Sequence, residues 1–155
     1  MSAIERLRAL AGRLGMRLSR RRVVDDVTED RITDLVKFCL VEERASGPWQ
    51  VAIAFVDEGE IGLLHDQFMG DPSPTDIITF PYDDPDFLGG DIAICVPVAA
   101  GTAREQGNSL SKELGFLVLH GLLHLLDYDD TIDDDRADML ARQQVILDKW
   151  LGLNR

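Results

Sequence analysis

The sequence predicts an α+β fold: a small mixed β-sheet of about four strands packed with five to six helices, around a central helix carrying two histidines. Three observations predict it. Strand-like and helix-like patterns are interspersed without the strict alternation that builds a doubly wound sheet. The 155 residues, 45% of them hydrophobic, match one domain with one core. One run, Leu114 to Leu126, is apolar enough to form the middle of that core.

The elements follow in order. Residues 3–14 read as a helix and Met16–Val24 as a strand. Asp26-x-x-Glu29 is a capping box. Behind it Ile32, Leu35, Val36, Cys39 and Leu40 recur with helical spacing, up to a stop at Ser46-Gly47-Pro48. Trp49–Val56 is a strand, and Asp57 to Phe68 a short helix. Gly70-Asp71-Pro72-Ser73-Pro74 must be a loop, since two prolines and a glycine cannot continue a helix. Asp76–Tyr82 and Asp91–Val96 are strands joined by an acidic turn, Asp83-Asp84-Pro85-Asp86. Pro97 opens a helix to Gln106. Ser109–Leu126 is a strongly apolar helix, and Thr131–Trp150 a longer amphipathic one whose Asp133-Asp134-Asp135 start suits the helix dipole. Trp49 and Trp150 read as core or edge aromatics.

Charge divides the chain. Residues 1–22 hold seven arginines (Arg6, Arg8, Arg13, Arg17, Arg20, Arg21, Arg22) against Glu5, a local +6 that leaves −18 on residues 23–155 from the overall −12. We therefore read residues 1–24 as a basic extension with a first strand, and 25–155 as a single domain. The acidic body argues against broad non-specific nucleic-acid binding. The basic arm suits RNA, a partner or an anionic surface, and equally the solvated face of a short helix. An organellar transit peptide would carry more serine. No apolar run reaches the roughly 18–20 residues of a membrane span, so the expectation is a soluble, cytoplasmic protein with no membrane partner. Cys39 and Cys95 lie in apolar segments, as buried free thiols do in a reducing compartment, and no CxxC spacing exists for a thiolate zinc site.

The chemistry lies in Leu119-His120-Gly121-Leu122-Leu123-His124-Leu125-Leu126-Asp127-Tyr128-Asp129-Asp130. His120 and His124, at i and i+4, share one helical face, where two imidazoles can converge on an ion with Zn–N bonds of about 2.0–2.1 Å. They are the only polar side chains between Gly115 and Leu126, and burying them without partners would be costly. A third ligand must come from beyond the helix, where Asp129 and Asp130 are on offer. Gly121 stands where a metalloprotease HExxH motif has its general-base glutamate, so that class is disfavoured.

This segment resembles the signature H-G-x-L-H-x-x-G-Y-D-H of the YbeY family, through His120, Gly121, Leu123, His124, Tyr128 and Asp129. Pro74-Thr75-Asp76-Ile77-Ile78-Thr79-Phe80-Pro81 looks like the family's P-T-D-V-L-S-F-P stretch, and Gly90-Asp91-Ile92-Ala93-Ile94-Cys95 is similar to its L-G-D-I-x-I-x strand. The resemblance implies a metal-dependent, single-strand-specific endoribonuclease acting in small-subunit (16S) rRNA 3′-end maturation and ribosome quality control. Its partners would be rRNA, the small subunit and ribosome-associated proteins such as the GTPase Era. It also implies one zinc-like transition ion (Zn2+), here on His120, His124 and Asp130, and two histidines with one carboxylate also suit Fe2+ or another divalent metal. These three residues would act in catalysis through the water that ion activates. From the residues themselves, His65, Asp76, Thr79 and Asp129 are candidates to line the site; His65 reads otherwise as a surface residue on a short helix, Asp76 and Thr79 as strand-capping and packing residues, and Asp129 as a loop hydrogen-bonder.

Several positions depart from the family pattern. Asp127 replaces its glycine, and Asp130 its third histidine. Leu64-His65-Asp66-Gln67-Phe68-Met69-Gly70 resembles the family's L-N-x-x-Y-R-G, with Met69 in place of an arginine implicated in RNA work and His65 in place of the asparagine. A shell of two histidines and one aspartate leaves about one positive charge on the site, where a three-histidine shell leaves two. The alternative is a non-catalytic ribosome-assembly factor with a structural or degenerate metal site, and Met69 and Asp130 lean toward it.

Overall fold

A computed structural model describes residues 29–86 and 88–153. The helix expected over 3–14, the strand expected over Met16–Val24 and Asp26 of the capping box lie outside these residues. The elements are α1 (Glu29–Glu42), β1 (Trp49–Val56), α2 (Glu58–Met69), β2 (Ile77–Pro81), β3 (Leu88–Cys95), α3 (Val96–Gln106), α4 (Leu110–Leu125) and α5 (Asp133–Leu153). Among the described residues the strands form one mixed sheet in the order β1-β3-β2, with β3 parallel to β1 and antiparallel to β2.

Strand alternation divides the central strand between two apolar layers. Ile92 and Ile94 of β3 join the main core with α1, α4 and α5. Ala93 and Cys95 turn to the other face, where they pack with Ile78 of β2 and with Ile61 and Leu64 of α2. Asp57 caps α2 by accepting a 2.8 Å hydrogen bond from the Glu60 backbone N–H. β3 begins at Leu88, earlier than the pattern Asp91–Val96 suggests, and Val96 opens α3. Gly89 and Gly90 hide this part of the strand from propensity, yet the pairing needs both. Gly89 has φ 112°, and a side chain on Gly90 would collide with the Phe80 carbonyl oxygen.

Helix α4 runs through the middle of the main core. Ser109 starts it by accepting from the Lys112 N–H at 3.1 Å. Leu114, Leu119, Leu122 and Leu123 are fully buried, each stabilising the fold by about 1.5–3 kcal/mol. Gly121 lets α4 lie close on the sheet. A Cβ there would stand 2.9 Å from Ile92 Cδ1, 3.1 Å from Thr79 Cγ2 and 3.2 Å from Ile77 Cδ1. The glycine that the sequence shows between the two histidines is thus the point where helix and sheet touch.

The end of α4 is a Schellman turn. The Tyr128 N–H bonds the Leu123 carbonyl at 3.0 Å, the Asp127 N–H bonds the His124 carbonyl at 3.0 Å, and Asp127 takes the left-handed conformation with φ 69°. An aspartate tolerates that region better than most residues but less well than glycine. The chain therefore reverses immediately after His124 and brings residues 128–130 back along the helix.

Two outcomes follow for stability. Gly121→Val should lower the unfolding free energy by about 1–3 kcal/mol through overpacking against the sheet. Asp127→Gly should raise it by about 0.5–1 kcal/mol by relieving the left-handed strain. Urea unfolding of the three proteins reads both, and a neutral Gly121→Val would contradict the close helix–sheet contact.

Candidate metal centre

The turn delivers Asp130 to the two histidines. His124 Nε2 lies 3.3 Å and His120 Nε2 3.6 Å from Asp130 Oδ2, and the two Nε2 atoms are 3.2 Å apart. One ligand atom from each residue falls within 4.8 Å of the others, a group able to hold a metal ion. The imidazoles meet nearly perpendicular, at 84° with centroids 4.7 Å apart, so both present an edge nitrogen to a common point. The three side chains are 22%, 25% and 36% exposed, which leaves that point open to solvent on one side.

The far side of each ring decides what its Nε2 offers. His124 Nδ1 is 3.2 Å from the Tyr128 backbone carbonyl, which only accepts, so this nitrogen carries the proton. His120 Nδ1 is 3.1 Å from Gln143 Oε1. The Gln143 amide is oriented by its own Nε2, which donates to the Phe116 carbonyl at 2.7 Å. Its Oε1 must then accept from His120. With both rings neutral, their Nε2 lone pairs face each other and a carboxylate. Three electron-rich atoms in that proximity repel one another, and a cation relieves all three contacts at once. Two nitrogens and one carboxylate oxygen are a transition-metal donor set.

Beyond the rings, a clamp holds the turn. The Tyr128 hydroxyl donates to Glu43 Oε2 at 2.8 Å, and the Arg142 Nε–H bonds Glu43 Oε1. Arg142 also reaches the Glu42 carbonyl at 3.3 Å. Burial, and then the Glu43 carboxylate, push the Tyr128 phenol above its usual value, while the hydrogen bond to Glu43 raises Arg142 further. The end of α1 and the middle of α5 are thereby fastened to the segment that carries Asp130, whose own backbone carbonyl accepts from Arg136 Nε at 3.2 Å.

The remaining candidates are placed differently. Asp129 turns back into its loop, accepting 3.0 Å bonds from the Thr131 N–H and hydroxyl that hold its carboxyl below the usual range. Thr79 lies under the histidine helix, its methyl against Gly121. The Asp76 carbonyl accepts from the Cys95 N–H at 2.8 Å. Its carboxylate charge, after burial, helps raise the Glu113 carboxyl. His65 is outside the cluster, with Nδ1 2.8 Å from the Ser73 carbonyl in the loop after α2. Met69 is exposed at the end of the same helix. The thiols of Cys39 and Cys95 are free and buried, that of Cys39 pushed up to about 12 by burial and then Glu43, and neither joins the cluster. No helix of the described residues is long and apolar enough to cross a membrane. Sequence reasoning missed Gln143, the Tyr128 carbonyl and the Glu43 clamp.

Comparison with known proteins places the chain among relatives. The family model described as Endoribonuclease YbeY matches residues 16–151. A protein named Endoribonuclease YbeY from Acidothermus cellulolyticus is 38% identical over 139 residues, covering 81% of this chain and 85% of its own length. One of the same name from Staphylococcus carnosus is 39% identical over 134 residues, covering 81% and 87%. The solution structure of TM1509 from Thermotoga maritima superposes with a TM-score of 0.59 at 32% identity, over 82% of this chain and 86% of that one. With the family model matching across most of its length and relatives 38% and 39% identical to it, the chain belongs to the YbeY family.

Proposed function

We propose that this protein is a metal-dependent endoribonuclease for single-stranded RNA that works on the 3′ end of small-subunit (16S) rRNA and in ribosome quality control. His120, His124 and Asp130 are its metal ligands and its catalytic residues. The observation that carries the reading is the convergence of two lone pairs and a carboxylate, with both rings locked from behind. The names of the relatives supply the substrate class, since each is called an endoribonuclease. Zinc fits the donor set first, and ferrous iron is the next candidate. Bound there, the ion supplies Lewis acidity and charge neutralisation for phosphodiester hydrolysis.

The protein's own groups have separate tasks in this reading. Asp130 lowers the charge of the site to about one positive unit and is the carboxylate that reaches both Nε2 atoms. The opening beside the three ligands admits the RNA backbone. Met69 supplies no charge for phosphate, so the cations that hold RNA must come from elsewhere, and the arginines of residues 1–22 are the strongest source in the sequence. Asp76, Thr79, Asp129 and His65 line the approach: the Asp129 carboxylate is engaged by Thr131, and Asp76 and His65 lie outside the cluster. The rRNA of the small subunit and ribosome-associated proteins such as the GTPase Era are the partners this role requires. A cytoplasmic setting suits the two free thiols. The second reading, an assembly factor without nuclease activity, is favoured by Met69, which leaves an exposed thioether where the resembled pattern has a guanidinium.

The test is zinc content and cleavage of single-stranded RNA, measured together. Wild type should hold close to one zinc and cut RNA, and a His120→Ala, His124→Ala double variant should keep only trace metal and no cleavage. Asp130→Ala should weaken zinc in chelator competition while Asp129→Ala leaves it unchanged; the opposite pattern would show the third ligand to be misassigned. Zinc-loaded protein that binds small subunits yet leaves RNA intact would establish the assembly-factor reading instead.

A further inference from the structure

We infer that Gln143 is the positioning residue of the metal centre: it fixes the tautomer and ring orientation of His120, so that Nε2 faces His124 and Asp130. The inference rests on the metal reading above but concerns a residue outside the ligand set. Gln143 has no solvent exposure, on a helix otherwise rich in charge. A buried carboxamide without partners is destabilising, and an apolar residue of similar size would pack there at no such cost. Its neighbours on the same strip of α5, Met139, Ile146 and Trp150, are apolar and buried. The amide is therefore held for what it bonds.

It bonds one helix twice. Nε2 donates to the Phe116 carbonyl at 2.7 Å, and Oε1 accepts from His120 Nδ1 at 3.1 Å. Residue 116 is one turn before residue 120, so its carbonyl already belongs to the α4 ladder and serves Gln143 as a fixed reference. The reference decides which end of the amide faces the imidazole. An amide turned the other way would place two acceptors together at the Phe116 carbonyl. His120 is thus held in its Nδ1–H form by the one arrangement that satisfies all four groups.

His124 provides the internal control. Its Nδ1 is anchored by the Tyr128 backbone carbonyl, which no side-chain substitution removes. The two ligands differ in this respect: one is oriented by the chain's own turn, the other by a side chain from α5, 23 positions further along. Changing Gln143 should therefore disturb His120 alone.

The experiment compares full-length wild type, Gln143→Leu and Gln143→Glu by two readouts. Zinc affinity is measured by competition with a chromophoric chelator. The tautomers of His120 and His124 are read in metal-free protein at mildly alkaline pH, by long-range proton–nitrogen NMR correlations. Gln143→Leu should weaken zinc by about 10–100-fold, the usual effect of losing a partner behind a metal-bound histidine. Gln143→Glu, which keeps an oxygen acceptor toward His120 but loses the donor to the Phe116 carbonyl, should bind zinc more tightly than Gln143→Leu. In the NMR spectra His120 should lose its Nδ1–H form in Gln143→Leu only, and His124 should keep its form throughout. Gln143→Leu with wild-type affinity, equal losses in both variants, or an unchanged His120 tautomer would each overturn the inference. Failure of wild type to bind zinc would refute the metal reading, and the metal-free tautomer result would still decide the role of Gln143.

Discussion

The Nε2 atoms of His120 and His124 stand 3.2 Å apart, with a carboxylate oxygen 3.3 and 3.6 Å away, because each ring is bonded from behind to an acceptor. With both rings neutral, that pair of hydrogen bonds turns their lone pairs toward one point. Such convergence is unfavourable for bare donors and favourable around a cation. The helix, the turn and the closing helix of the fold each supply one part of this constraint.

Helix α4 supplies the spacing. Its i, i+4 histidines lie on one face, and Gly121 lets the adjacent side of the helix settle on β2 and β3 without a side chain between. The Schellman turn at Asp127 supplies the return of the chain, giving His124 the Tyr128 carbonyl and the site Asp130. Helix α5 supplies Gln143 to the back of His120 and Arg142 to the Glu43 clamp. The chemistry is therefore distributed over three consecutive elements, and α1 closes it through Glu43 and its bond to Tyr128.

Much of this was legible in the residues themselves. The histidine spacing, the apolar run around it and the two aspartates beyond the turn are local patterns, and local patterns fix helix faces and turn positions. The choice between Asp129 and Asp130 needed the family resemblance, because both carboxylates follow the same turn. The structure separates them physically, by committing Asp129 to Thr131. Gln143 was not read, since it is 23 positions from His120 and one of many polar residues on its helix. A signal existed: residues 139, 143, 146 and 150 form a helical strip in which only 143 is polar. The early start of β3 was hidden for another reason, that Gly89 and Gly90 carry no strand propensity and are present because neighbouring backbones approach too closely for side chains.

X-ray absorption at the zinc edge of the full-length, stoichiometrically loaded protein tests the central claim most directly, since it reads the donor atoms around the ion. The account predicts two imidazole nitrogens at about 2.0–2.1 Å and a carboxylate oxygen at about 2.0–2.2 Å, with no sulfur. A shell with one imidazole or none, or with a sulfur donor from either cysteine, would contradict it.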